Sequence, residues 1–148
     1  LNYQQQYSFL PGWLSGFGSY ANYTRMETFG DYGAVNTPAL SELAGFKPSV
    51  ISAGISYSKH RFTGRIHANY VGRWLTTYAA NPAQRVYRED ITLVDLNLNY
   101  KLNQNLSLFC DVINLFDAQI KWTRGYSHRG NLWENLGARV SLGISGRY

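Results

Sequence analysis

Two groups of aromatic and basic side chains have the chemistry of a solute-binding surface. Tyr78, Arg85, Tyr87 and Arg88 form one; Trp122, Arg124, Tyr126, Arg129 and Trp133, with His128 among them, form the other. Aromatic rings stack on sugars and planar ring systems, while guanidinium groups clasp carboxylate or phosphate. A metal chelate, an oligosaccharide or another anionic small molecule would suit such residues.

Other chemistry is poorly supported. His60, His67 and His128 lack the i, i+2 or i, i+4 spacing of metal ligands and stand apart from any acidic cluster, and the single Cys110 excludes an intrachain disulfide and a cysteine zinc cluster. His67 with a serine and a carboxylate would make a hydrolase, but no Gly-x-Ser-x-Gly nucleophile motif is present. Asp95 and Asp111, with Lys101 beside them, could do acid–base work; in a polar interior such carboxylates more often pair with neighbouring side chains. Gly16-Phe-Gly18 precedes no strand-to-helix step, so it is not a nucleotide loop. No catalytic residue, metal or cofactor is expected.

The elements that would carry the two groups are strands. Phe62, Gly64, Ile66, Ala68, Tyr70, Gly72 and Trp74 alternate with Thr63, Arg65, His67, Asn69 and Arg73, Val71 being the exception. A strand over 62–74 is far longer than the usual ~5–6 residues and reaches across a bilayer when tilted. Ile51, Ala53, Ile55 and Tyr57 alternate with serines and glycine just before it, so Ser58–Arg61 turns a hairpin. Val94, Leu96, Leu98 and Tyr100 are joined through Asn103-Gln-Asn105 to Leu106, Leu108, Cys110 and Val112 in a second hairpin. A final strand places Val140, Leu142, Ile144 and Tyr148 on one face.

Composition fits strands that meet lipid. Aromatic residues make up 16% of the 148, with 12 Tyr and 4 Trp, a content that suits the aromatic girdles of outer-membrane barrels. No stretch approaches the ~18 apolar residues of a spanning helix, which leaves barrels open because only alternate residues of a barrel strand face lipid. The net charge of +5 is spread along the chain rather than clustered, which argues against nucleic-acid binding and suits a polar lumen or anionic headgroups. The two aromatic and basic groups then have a second role open to them, as girdle and lipopolysaccharide-facing residues.

Short turns near 10–12, 58–61 and 102–105 alternate with longer irregular connections over 29–48, 79–90 and 125–133. Outer-membrane barrels show the same asymmetry, with short periplasmic turns and longer extracellular loops. The expected strands are 1–9, 13–29, 49–58, 62–78, 91–101, 105–125 and 134–148. Single-chain bacterial barrels have even strand numbers, so about seven strands indicate a fragment, as does the lack of an export signal at Leu1-Asn-Tyr-Gln.

The run from Val94 to Asp117, with Tyr100-Lys101, the Asn-rich turn, an apolar strand and Asn114-Leu-Phe-Asp117, resembles the penultimate hairpin of TonB-dependent outer-membrane receptors. Leu10-Pro-Gly12 leading to Ala21-Asn-Tyr-Thr24, Arg61-Phe62 leading to Asn69-Tyr70, and the terminal Gly146-Arg-Tyr148 resemble that family in the same order. Together they extend over nearly the whole chain.

The resemblance implies an all-β, antiparallel up-and-down transmembrane barrel of 22 strands. Residues 1–148 would be its C-terminal part, with the plug domain and N-terminal strands absent. It further implies active uptake of a scarce bulky solute, a siderophore, oligosaccharide or similar, across the bacterial outer membrane, energised through TonB at the missing N-terminal region. Val140, Leu142, Ile144 and Tyr148 would then be the signal read by the barrel assembly machinery. Outer-membrane lipid and lipopolysaccharide would be further partners, and nucleic acid would not. Two other functions stay open: a soluble lipocalin-like barrel with its apolar faces turned inward around a ligand, and an outer-membrane hydrolase.

Overall fold

A computed structural model describes residues 1–31 and 42–146. Eleven strands follow in chain order: β1 Asn2–Gln6, β2 Phe17–Arg25, β3 Ser49–Lys59, β4 Phe62–Val71, β5 Trp74–Thr77, β6 Val86–Arg88, β7 Ile91–Lys101, β8 Leu106–Ile113, β9 Gln119–Arg124, β10 Gly130–Asn135 and β11 Arg139–Gly146. Short 3₁₀ turns occupy Gly12–Gly16 and Pro82–Gln84, and the described residues contain no α-helix.

The fold is all-β and antiparallel. Seven strands form one sheet in the order β1-β2-β3-β4-β7-β8-β11, and four form a second in the order β5-β6-β9-β10. The larger sheet is open, with β1 and β11 at its edges, and the described residues do not close a barrel. The three turns at 7–16, 60–61 and 102–105 lie at one end of this sheet, and the long connections leave from the other. The expected end-to-end asymmetry is therefore present. The turn between β3 and β4 is tight because His60 adopts a left-handed φ of 55°.

Three of the expected strands are each broken in two at the long-loop end, and the expected strand 91–101, found whole as β7, is preceded by a further strand, β6, in the expected loop 79–90. The expected strand 62–78 divides at Gly72-Arg73, and 105–125 divides at Asn114–Ala118. The expected strand 134–148 begins earlier, at Gly130, and divides at Leu136–Ala138, while β6 and β7 are separated at Glu89-Asp90. The upper pieces pair with one another in the same lateral order as the lower ones, so the second sheet continues the first beyond a common break.

The break also changes which side chains face where. Trp74 is three residues from Val71, yet both join one buried cluster with Ile91 and Ile120, against which Val50, Leu93 and Trp122 pack. Strict alternation would send Trp74 to the opposite side from Val71, as the sequence alone suggests. An irregularity in the strand at Gly72-Arg73 resets the period, as a bulge does. Gly72 leaves room there for Ser49, whose Oγ would stand 2.3 Å from a Cβ at residue 72 and would have to rotate away. The expected strand at 13–29 likewise starts later, since residues 12–16 turn through a 3₁₀ segment in which Gly12 has a φ of 60°. Lys59 Nζ donates to Ser15 Oγ at 2.8 Å and to the Gly12 carbonyl, tying that turn to β3.

Candidate functional site: a two-faced sheet and its aromatic upper corner

Register across the seven-stranded sheet sorts its side chains into two unlike faces. From β3 to β11, one row runs Ile55, Ile66, Leu96, Val112, Val140; the next runs Tyr57, Gly64, Leu98, Cys110, Leu142. Ala21, Ala53, Ala68 and Val94 continue the same face. The opposite face carries Asn22, Ser52 and Asn69 in one row, and Ser56, Arg65, Asn97, Asp111 and Ser141 in another. From β3 to β11 register thus keeps apolar beside apolar in the first two rows, because a one-residue slip would exchange the faces, while β2 and β1 bring Ser19 and Gln5 onto the Ile55 row and Leu93 ends the Asn22 row.

The apolar face has little covering it. Ile55 is 52% exposed, and Val140, Leu142 and Ile144 on the edge are 60%, 75% and 67% exposed. Four strand spacings from β3 to β11 make this face about 19 Å wide. Soluble monomers rarely expose a contiguous apolar patch above a few hundred Å².

Aromatic residues edge the face at both ends. At the short-turn end the Phe17 and Tyr57 rings meet edge-on at 4.8 Å, with Trp13 5.9 Å beyond Phe17 and Phe62 5.9 Å beyond Tyr57. Tyr100 follows in register with Phe62. At the other end Tyr23 and Tyr70 flank Ile51. Phe62 and Tyr70 are eight residues apart on β4, a separation of about 26 Å.

On the polar face the Tyr20 hydroxyl is hydrogen-bonded to His67 Nδ1, and the two rings stack 5.9 Å apart at 17°. Tyr20 reaches β4 by lying across Gly54 of the intervening β3: a Cβ at residue 54 would stand 2.6 Å from Tyr20 Cε1 and 2.8 Å from the Ile66 carbonyl oxygen. The Gly54→Ala variant is expected to displace Tyr20 from His67 and to destabilise the fold by about 1–3 kcal/mol, because the backbone oxygen cannot move aside. Urea unfolding against Tyr20→Phe, which removes the bond without the clash and is expected to cost less than about 1.5 kcal/mol, measures the difference.

Asp95 and Asp111 do not form a carboxylate pair. Asp95 lies beside His67 in register, and its Oδ1 accepts from the Asn114 backbone N–H at 2.9 Å; Asp111 Oδ1 accepts from Asn97 Nδ2 at 2.9 Å. Each carboxylate is engaged with a neighbour, the structural alternative to acid–base work. No group of three or more His, Cys, Asp or Glu able to hold a metal occurs among the described residues.

The aromatic and basic residues singled out in the sequence all lie at the long-loop end, and the second sheet brings part of the set together. Arg88 stands between Trp74 and Trp122, its guanidinium carbon 4.9 Å and 5.5 Å from the ring centres. Arg85 lies over Tyr78 at 4.8 Å, and its Nε donates to the Ala79 carbonyl at 3.0 Å. Arg124 pairs with Val86 on β6, which puts it on the same face as Arg88.

The rest of the set is placed elsewhere. Tyr87 faces the other side, beneath Arg73 at 3.8 Å, while Arg73 Nε donates to Glu89 Oε1 at 2.9 Å and Thr123 donates to the same oxygen. Trp133 is also on that side, in register with Lys121, whose ammonium lies 5.6 Å from its ring. Tyr126 stacks on His128 at 5.7 Å and, with Arg129, belongs to the solvent-exposed turn between β9 and β10.

Trp74, the residue that completes the stack on Arg88, is absent from the sequence-derived set because alternation places it on the lipid-type face. The available signal was Gly72 inside a strand pattern, which marks a bulge. Val140, Leu142 and Ile144 lie on the exposed apolar face of edge strand β11, whereas Tyr148 is outside the described residues. Comparison of the chain with protein-family models, with characterised proteins and with solved structures finds no match.

Proposed function

We propose that this chain is part of the wall of a TonB-dependent receptor in the bacterial outer membrane, and that the intact receptor takes up a bulky solute using energy delivered through TonB. The observation that carries the membrane assignment is the exposed apolar face, which runs from β3 to β11 and is edged by aromatic rows. A lipid-facing barrel surface needs an apolar band ~25 Å tall between aromatic girdles, and a tilted strand segment of about 26 Å supplies most of it. Serines, asparagines, Arg65 and His67 on the reverse face suit a hydrated lumen. The unpaired edges β1 and β11 suit a sheet continued by further strands to a closed 22-stranded wall, since open edges are not tolerated in lipid. The assignment to this receptor family rests on the ordered sequence motifs.

In this reading the short turns are periplasmic and the second sheet rises on the extracellular side, where Arg88, Trp122, Arg85 and Tyr78 meet the solute. Val140, Leu142 and Ile144 present the edge that the assembly machinery pairs with.

Cys110 tests the membrane assignment directly, because it sits on the apolar face between Leu98 and Leu142. A fluorophore attached there, in the intact receptor refolded into lipid vesicles, is expected to emit as in an apolar medium and to be quenched by nitroxide-labelled acyl chains. Emission from a water-like environment would sink the assignment. Apolar emission without quenching by lipid would support the soluble carrier, which holds the same face inside a closed barrel.

A further inference from the structure

Arg88 is the middle residue of a cross-strand row, with Trp74 in register on β5 and Trp122 on β9. Its Nε is buried without an acceptor. Among the described residues, both ion pairs lie elsewhere, between Arg25 and Glu27 and between Arg73 and Glu89. Glu89, the adjacent carboxylate, is turned to the opposite face by strand alternation and held there by Arg73 and Thr123. Arg85 has an Nη2 that is also buried without an acceptor, and Arg124 shares the face of Arg88. Among the described residues Arg88 therefore has no carboxylate in an ion pair with it, and a second guanidinium, Arg124, shares its face.

The two indoles fix the guanidinium but cannot satisfy it. Cation–π attraction holds the side chain in place. It supplies no lone pair to the N–H donors, and a charged donor left unpaired away from water is costlier than a neutral one. The missing component is an acceptor with negative charge and, ideally, two oxygens, since the rigid fork of a guanidinium matches carboxylate and phosphate. Trp74 and Trp122 pack with Val71 and Ile91, which lie on the polar face of the main sheet, so the row faces the side opposite the apolar band.

We propose that Arg88, braced between Trp74 and Trp122, is the anchor for an oxyanion, a carboxylate or phosphate group, on the solute that enters this corner. The proposal rests on the receptor reading and narrows it: a neutral oligosaccharide does not meet the requirement, and an anionic small molecule does. The same chemistry occurs on lipopolysaccharide headgroups. The position of the row, on the side away from the apolar band, assigns the anchor to a dissolved solute.

The test uses the whole chain folded in detergent micelles, with Trp13→Phe and Trp133→Phe removing the other two indoles, so that tryptophan emission reports on Trp74 and Trp122. Citrate and inorganic phosphate are the oxyanion probes, and purified lipopolysaccharide is the lipid probe. A saturable change in emission with citrate or phosphate is expected, and Arg88→Gln should weaken the apparent affinity by about ten- to a hundredfold, the loss of one charged, hydrogen-bonded partner. Arg88→Lys, which keeps the charge and loses the fork, should fall between the two, and it is the variant read if Arg88→Gln does not fold. No saturable response to either oxyanion, an unchanged affinity in the variant, or a response to lipopolysaccharide alone overturns the proposal.

Folding into micelles is scored separately, by strand circular dichroism and heat-dependent gel mobility. A chain that folds there and does not bind overturns the anchor and leaves the receptor reading standing. Oxyanion binding by a chain folded without detergent upholds the anchor and overturns the receptor reading.

Discussion

If the apolar face meets lipid, as proposed, Leu96→Arg is expected to destabilise the fold in a bilayer by about 2–4 kcal/mol, while Asn97→Arg, one residue along the same strand, changes it by less than about 0.5 kcal/mol. Leu96 lies mid-strand on the apolar face, in register with Ile66 on one side and Val112 on the other. A guanidinium there must either leave water for hydrocarbon or bend the strand to reach the interface. Asn97 lies on the reverse face between Arg65 and Asp111, is exposed, and donates to Asp111 Oδ1 at 2.9 Å; an arginine can make a similar bond to that carboxylate. The measurement is urea-dependent unfolding of the intact receptor from lipid vesicles, followed by tryptophan emission. Equal effects of the two substitutions would mean that the faces are not divided between lipid and water.

Asn114→Ala is expected to cost about 3 kcal/mol and to loosen the junction between the two sheets. Asn114 is 3% exposed and has a left-handed φ of 56°. Its Oδ1 accepts from Ala118 N–H at 2.8 Å, while Nδ2 donates to the carbonyls of Ala118 and Gly137, both at 3.2 Å. Its backbone N–H donates to Asp95 Oδ1 at 2.9 Å. One side chain thus closes the β8–β9 break onto itself, ties it to the β10–β11 break, and leaves the main chain docked on β7.

Alanine removes three side-chain bonds worth about 1 kcal/mol each net and sits less well at positive φ, for which a further ~1 kcal/mol is a reasonable upper bound. Asn114→Gly keeps the backbone conformation and loses the same bonds, so it is expected to recover at most that last increment. Denaturant unfolding of the variants measures the loss, and amide exchange of β9 and β10 checks where it falls, with faster exchange expected there than in β3 and β4. Unchanged protection of β9 and β10 in the alanine variant would show that the latch does not hold the upper sheet.

Much of the fold was legible because a strand writes its two faces into the chain directly. From residue 51 to 70 and from 94 to 112, Phe109 apart, side-chain polarity alternates, and the hairpin turns interrupt it with Ser, Lys, His, Asn and Gln. Those segments became β3, β4, β7 and β8 with the expected partners. The breaks were not legible in the same way. The Asn114-Leu-Phe-Asp117 segment matches a recognisable motif, yet its work depends on Gly137, more than twenty residues away. The loops expected over 79–90 and 125–133 contain strand residues because their irregular composition is overridden by pairing within the second sheet, as when Tyr87 meets both Leu75 and Thr123.

The candidate site divides along the same line. Residue types alone marked the arginines and aromatics as binding chemistry, and their clustering in the long connections placed them at one end of the sheet. Which of them share a face could not follow from spacing, since Trp74 changes sides at Gly72, and Tyr87 and Trp133 end opposite Arg88. Alternation is a local property fixed by backbone geometry, so the sequence by itself determined an antiparallel sheet with one apolar and one polar face. The common break, the second sheet and the Trp74–Arg88–Trp122 row depend on bulges and on pairing between segments far apart in the chain. Only the tertiary structure, which sets register across strands, decided them.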